Sequence, residues 1–344
     1  MDRKFSIKSY LIDTLGSMAL GLFSSLIVGL ILDQMGSKLG ISILIDLGRV
    51  AKFLMGPAIG IAVAYGRKAP ALAVFSSAVT GALGAGTVFL NAANQYGIRV
   101  GEPMGAFIAA LVGVEVGKLI SGKTKVDIVL VPSSVIIAGG IAGKYISPVV
   151  SAIMTALGSI INTATVMNPI PMGILVSAIM GIVLTLPISS AALAIALGLK
   201  GLAAGAATVG CCTQMVGFAV ASYRENKLGG LIAQGLGTSM LQMPNIIRNP
   251  MIWIPPTLAS AILGPLSTTL FRMENVPEGA GMGTSGLVGQ FGTFAAMSGT
   301  NGGTVILVKI LILQVLLPAA LTFIISEFMR KKGYIKNGDM KLNL

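Results

Sequence analysis

The side chains able to do chemistry in this sequence are mostly uncharged, and they gather between Asn168 and Asn301. The first group is Asn168-Pro169-Ile170-Pro171, followed by Leu186-Pro187-Ile188-Ser189-Ser190 and Gly210-Cys211-Cys212-Thr213-Gln214. Further along come Gln242-Met243-Pro244-Asn245, Arg248-Asn249-Pro250 and Gly299-Thr300-Asn301-Gly302-Gly303. Amides and hydroxyls both donate and accept, which suits a neutral polyhydroxylated solute better than an isolated ion. Burying them unpaired in hydrocarbon costs roughly several kcal/mol each. The neighbouring prolines and glycines interrupt helices and turn free backbone groups inward. The candidate solute ligands are therefore Asn168, Ser189, Ser190, Thr213, Gln214, Asn245, Asn249 and Asn301. The competing role for the same groups is to cap helix breaks and tie helices together. Arg248 fits a cytoplasmic anchor better than a solute contact.

Other chemistry is excluded or unsupported. There is no histidine, so histidine bases, histidine metal sites and a phosphohistidine are ruled out. No catalytic residue and no cofactor is assigned. The two cysteines, Cys211 and Cys212, are adjacent in an apolar context and read as small packing residues. They are too few for a structural zinc site. Gly117-Lys118-Leu119-Ile120-Ser121-Gly122-Lys123-Thr124 matches the phosphate-loop pattern. That chemistry needs a strand before the loop and an α/β domain around it. Here an apolar helix precedes it, so a cytoplasmic turn is expected. Asp46 and Glu115 have Arg49 and Lys118 three residues on, as paired interfacial charges would. With aromatic residues at 6%, no stacking platform for nucleic acid is apparent.

These groups must be positioned by membrane helices. The 344 residues are 54% hydrophobic and 10% charged, against about 25% charged in soluble domains. The fold class is an all-α polytopic membrane protein, a single membrane domain over residues 1–344. About nine or ten crossings are expected, with candidate spans at 10–32, 41–65, 70–90, 104–120, 127–146, 170–186, 203–222, 252–270 and 305–329. The stretches 188–199, 228–241 and 283–297 are too short to cross and rich in Gly, Ser or Thr, which predicts re-entrant or broken helices. Gly-xxx-Gly pairs such as Gly56/Gly60 and Gly201/Gly205 point to close helix packing. Positive charge clusters at Arg3, Lys4 and Lys8, at Arg67 and Lys68, at Lys118 to Lys125 and at Arg330 to Lys336. Cationic loops stay inside, so both termini are expected on the cytoplasmic side, with a first outer turn near Asp33.

The order of segments resembles the membrane-spanning IIC component of bacterial sugar phosphotransferase systems, in its fructose-type branch. The likeness is carried by Gly105 to Gly113 running into a basic turn, by Asp127 to Pro132 and by Met172 to Ser190. It is most specific at Cys212-Thr213-Gln214 with Gly217-Phe218-Ala219, which is similar to the family's Gly-Ile-Thr-Glu loop and the Pro-Phe-Ala beyond it. Gln214 stands where that loop has its sugar-holding acid, and the spacing is one residue shorter. The overall sequence looks closer to a stand-alone IIC-like family, some of whose members are perfringolysin regulator-type proteins. The resemblance implies an elevator architecture, a homodimer in membrane lipid, and separate soluble IIA and IIB proteins as phosphate donors. A solute sensor that binds without transport and an ion-coupled secondary transporter are the alternatives.

Overall fold

The computed structural model describes residues 7–91, 94–165, 167–299 and 302–342. It divides into two compact units, Met1–Ile153 and Met154–Leu344. Among the described residues five helices are long and apolar enough to cross a membrane, or six if one bent pair counts as a span. The fold is thus an α-helical, multi-pass membrane protein.

In the first unit α1 (Ile7–Leu22) and α2 (Val28–Leu39) are joined by a π turn, Phe23–Ile27. The chain does not turn near Asp33, as expected from its charge. Asp33 is paired with Lys52, so its charge need not end the apolar helix, which continues to a left-handed Gly40. The expected span 41–65 is broken at Leu54 into α3 (Ser42–Phe53) and α4 (Met55–Gly66), which are bent by 56°. α5 (Ala71–Ala85) leads to a hairpin of β1 (Val88–Leu90) and β2 (Tyr96–Ile98), then α6 (Pro103–Ile120). α7 (Asp127–Thr165) begins with the apolar stretch Asp127–Ile146. α4 and α5 approach so closely that a Cβ at Gly60 would overlap the Ser77 carbonyl, the contact small residues permit between helices in lipid. Glu115 accepts from Arg67 Nε at 2.9 Å and Tyr10 Oη at 2.9 Å and meets Lys118 at 3.4 Å, pinning one end of α1, α4 and α6 together.

The second unit continues with α8 (Pro169–Thr185), α9 (Ser190–Ala196), α10 (Gly201–Ala221) and α11 (Tyr223–Ile232). Next come α12 (Met243–Arg248), α13 (Ile254–Thr268), α14 (Pro277–Ala280) and α15 (Val288–Met297). α16 (Gly303–Ile310) runs through a π turn into α17 (Leu317–Lys331). α10 is the centre, with 89% of its apolar window buried.

The direction of each helix follows from its contacts. α8 is parallel to α10, because Ser177 lies against Gly210 while Thr185 reaches Gln214. α13 is antiparallel to α8, since Ser260 meets Ser177 and Thr268 meets Pro169. α17 is parallel to α10, as Thr322 meets Gly217 and Arg330 bonds the Ala221 carbonyl. Pro169, Gly201, Asn275 and Lys309 consequently share one end of the unit, where Gly201 pairs with Asn275 and Lys309 bonds the Phe271 carbonyl. Residues 169–200 therefore leave that end and return to it, and so do residues 269–302. Both hold the short stretches flagged by the sequence.

Candidate functional site

The two returning segments meet. Ser190 Oγ, at the start of α9, donates to the Gly281 carbonyl at 2.6 Å, and Gly281 follows α14 directly. A side chain at Gly281 would overlap the Ser190 carbonyl. Beyond it Gly283 (φ 55), Gly286 (φ 52) and Leu287 (φ 60) hold the loop in left-handed backbone. A Cβ at Gly283 would fall within 3 Å of the Cys211 backbone. The tip of the second segment is therefore pressed on the middle of α10, and the tip of the first meets it at Gly281. Cys211 to Gln214 are helical residues there, so the loop implied by the resemblance is corrected: the packed neighbours leave α10 no room to open.

Two polar networks flank that point. On one side Gln214, fully buried, donates to Thr257 Oγ1 at 3.0 Å and accepts from Trp253 Nε1 at 3.2 Å and Thr185 Oγ1 at 3.3 Å. Thr185 and Ser239 share a further bond of 2.8 Å. Trp253 and Thr257 also form part of the wall of an open groove of about 420 Å³ with Ile182, Pro250, Ile254, Leu258 and Ala261. On the other side Asn275 Nδ2 donates to Thr208 Oγ1 (2.6 Å), the Gly289 carbonyl (3.0 Å) and Thr293 Oγ1 (3.1 Å). Gln314 Nε2 donates to Thr293 at 2.9 Å, and Gln290 Nε2 donates to Gln314 Oε1 at 2.9 Å and Cys212 Sγ at 3.4 Å. Gln290 Oε1 and Ser285 Oγ are buried with no protein partner. Every side chain in these two networks is uncharged.

The remaining candidates make none of the hydrogen bonds of either network. Thr213 is buried and bonds back to the Val209 carbonyl at 2.7 Å, the ordinary habit of a helical threonine. Ser189 is partly buried beside Ser190. Asn168 is exposed at the N-cap of α8. Asn301 lies outside the described residues. Asn245 and Asn249 belong to a third group, which holds the C-terminal segment. Asn245 donates to Gln242 Oε1 (2.8 Å) and the Lys341 carbonyl (2.9 Å), and Asn249 to the Tyr334 carbonyl (3.0 Å) and Asp339 (2.7 Å). Asn226 and Gln242 both donate to the Met340 carbonyl, and Glu225 accepts from the Met340 amide. The phosphate-loop match is a turn after α6. The amides of Gly122 and Thr124 point at the Asp127 carboxylate, so that side chain takes the place an anion would need.

Asn275, Gln290, Gln314, Thr208, Thr185, Thr257, Ser239 and Trp253 were not among the sequence candidates. All but Gln314 have a Pro or Gly within two residues, so proximity to a helix breaker did not by itself single them out. A lone amide such as Gln314 in a long apolar run was the available signal, because such a group must find an internal partner.

Fold and site together define an α-helical membrane protein whose second unit has an uncharged polar interior beneath two converging hairpins. Residues 12–342 match the family described as Phosphotransferase system, EIIC, and the chain belongs to that family. It is a membrane permease component of the phosphotransferase type, a class that transports sugars with separate IIA and IIB proteins. Neither a curated protein nor a solved structure matches the chain.

Proposed function

We propose that the second unit carries a neutral polyhydroxylated solute, a sugar of the fructose-type branch or a related polyol, by alternating access. The observation that carries this reading is the meeting of two returning segments at Ser190 and Gly281 over the buried centre of α10. Uncharged polar groups lie on both sides, with Gln290 Oε1 and Ser285 Oγ buried and without a protein partner. Broken helices meeting near the membrane midplane are a general way of building a carrier site. Ser190 and Gln214, which bond within this region, are proposed as solute contacts, with Ser189 and Thr213, their chain neighbours, proposed beside them. Asn168, Asn245, Asn249 and Asn301 are kept as solute contacts of another stage of the cycle.

The same reading assigns the topology. The end of the second unit where α10 and α17 finish carries Arg224, Lys227, Arg248, Arg330, Lys331, Lys332, Lys336 and Lys341; the opposite end carries Lys200, Arg272 and Lys309. The cationic excess assigns the first end to the cytoplasm. Residues 169–200 and 269–302 then enter and leave from outside, giving eight complete crossings and two re-entrant hairpins, one crossing fewer than the sequence spans. An even number puts both termini on one side, proposed here as the cytoplasmic side of the cell membrane. We assign both units to one transport domain, with an elevator movement of the solute-holding unit and a homodimer as the working form.

The test is radiolabelled uptake and equilibrium binding of sugars and polyols with the chain in proteoliposomes. Saturable binding that is lost in Gln290→Ala supports the site; binding unchanged in both Gln290→Ala and Gln214→Ala removes it. One observation favours a second reading, a sensor that binds without flux: Gln214 is engaged at both ends of its amide where a family member would hold a free acid. Binding in detergent with no flux into vesicles would select it.

A further inference from the structure

The β hairpin between α5 and α6 carries an apolar face that is exposed among the described residues. Its register pairs Val88 with Ile98 and Leu90 with Tyr96. Alternate residues of a strand share a face, so these four stand together while Phe89 and Gly97 take the other side. Their exposures are 49% for Val88, 62% for Ile98, 53% for Leu90 and 80% for Tyr96. The opposite face is dressed differently: the Phe89 ring covers Gly97, and the Arg99 guanidinium lies over that ring at 5.1 Å.

The position of the hairpin is set by the helices that bear it. The Glu102 amide bonds the Ala85 carbonyl and the Arg99 amide the Thr87 carbonyl, both at 2.9 Å, so the base of the hairpin is fixed to the last turn of α5. α5 has 15 residues, which span about 22 Å. A bilayer's hydrocarbon core is about 30 Å thick. Three residues of strand add about 10 Å, which makes up the deficit. α5 is itself exposed along Ala71, Phe75, Val79 and Leu83, a stripe at four-residue spacing. The helix that bears the hairpin thus presents an apolar stripe of its own. Strand pairing satisfies the inner backbone groups, the condition for non-helical backbone near membrane depth, and Tyr96 is a residue type favoured at the lipid interface.

We infer that Val88, Leu90, Tyr96 and Ile98 are inserted in the interfacial layer of the outer leaflet, so that the hairpin completes the crossing begun by α5 and anchors the first unit in lipid. The occupant of this face is phospholipid, at the depth where acyl chains meet headgroups.

Nitroxide labels on Leu90→Cys, Ile98→Cys and, as a reference at the turn, Asn94→Cys test this in lipid nanodiscs. Cys211 and Cys212 are fully buried and do not take the label in the folded protein. Collision rates are measured with oxygen, which concentrates in lipid, and with a neutral water-soluble nickel chelate. The expected result is that oxygen dominates at positions 90 and 98 and the chelate dominates at 94, with the ratio of the two reversed by several-fold. Chelate dominance at 90 and 98 would place the hairpin in water and overturn the inference. Exclusion of both reagents at 90 and 98 would show a protein partner, including a second copy of this chain, and would overturn it as well. The two labelled positions are exposed and independent, so a fault in one variant leaves the other to decide.

Discussion

Gln214 was conspicuous in the sequence because it follows the Cys-Cys-Thr group, and the structure shows what its amide does. It bridges Thr185 on α8, Thr257 on α13 and Trp253 just before α13 from a fully buried place on α10. Removing it leaves three polar groups facing a hole. Gln214→Ala is therefore expected to cost about 2–4 kcal/mol, seen as a lower thermal-denaturation midpoint in detergent, with Gln214→Glu less damaging to packing. Trp253 is the only tryptophan, and its indole N–H ends on this amide. Intrinsic fluorescence thus reports the network, and a bound sugar is expected to shift its emission; a saturating ligand that leaves the spectrum unchanged would separate the solute from this side of α10. The residues beside prolines were legible as candidates, but their partners were not. Asn275 reaches Thr208 across 67 positions of chain, a pairing that only the packing of α10 against the returning segment creates.

At the scale of elements, hydropathy located nearly every apolar helix, and Gly-rich composition marked the segments that fail to cross. What it could not give is direction. A span and one arm of a re-entrant hairpin have the same composition, and α8 is told from a crossing only by its parallel packing on α10. The junction of the hairpins supplies the sharpest test at this scale. Gly281→Ala would drive a methyl into the Ser190 carbonyl and force the tips apart at a cost of about 1–3 kcal/mol. Loss of solute binding at unchanged helix content, measured by circular dichroism, is the expected outcome. Gly299 has open space around it, and Gly299→Ala is expected to bind normally. The C-terminal segment gives a second test. Its backbone satisfies Asn226, Gln242 and Asn245, with Met340 fully buried. Ending the chain after Lys332 strips these amides of partners, so the midpoint of thermal denaturation is expected to fall by several degrees.

For the whole molecule, the proposed topology takes the relative directions of the helices from packing and their sense across the membrane from charge. Sequence alone lost the count of crossings after Lys144, because the helix that begins at Asp127 continues to Thr165 and the shorter pieces beyond it permit either parity. The proposed count rests on contacts within the second unit, where Pro169, Gly201 and Asn275 share one end while Ala221, Arg330 and the C-terminal segment share the other. The positive excess at the second end then orients the unit. This makes a prediction about single sites in intact cells. A cysteine at Lys200 is exposed and should react with a membrane-impermeant maleimide added outside, whereas one at Lys332, at the end of α17, should react only after the membrane is opened. If the Lys200 cysteine were silent and the Lys332 cysteine labelled from outside, the unit would be inverted. If both reacted from the same side, the ends of α10 and α17 could not lie opposite the entrance of the hairpins, and the case for two re-entrant segments would fail with the geometry that supports it.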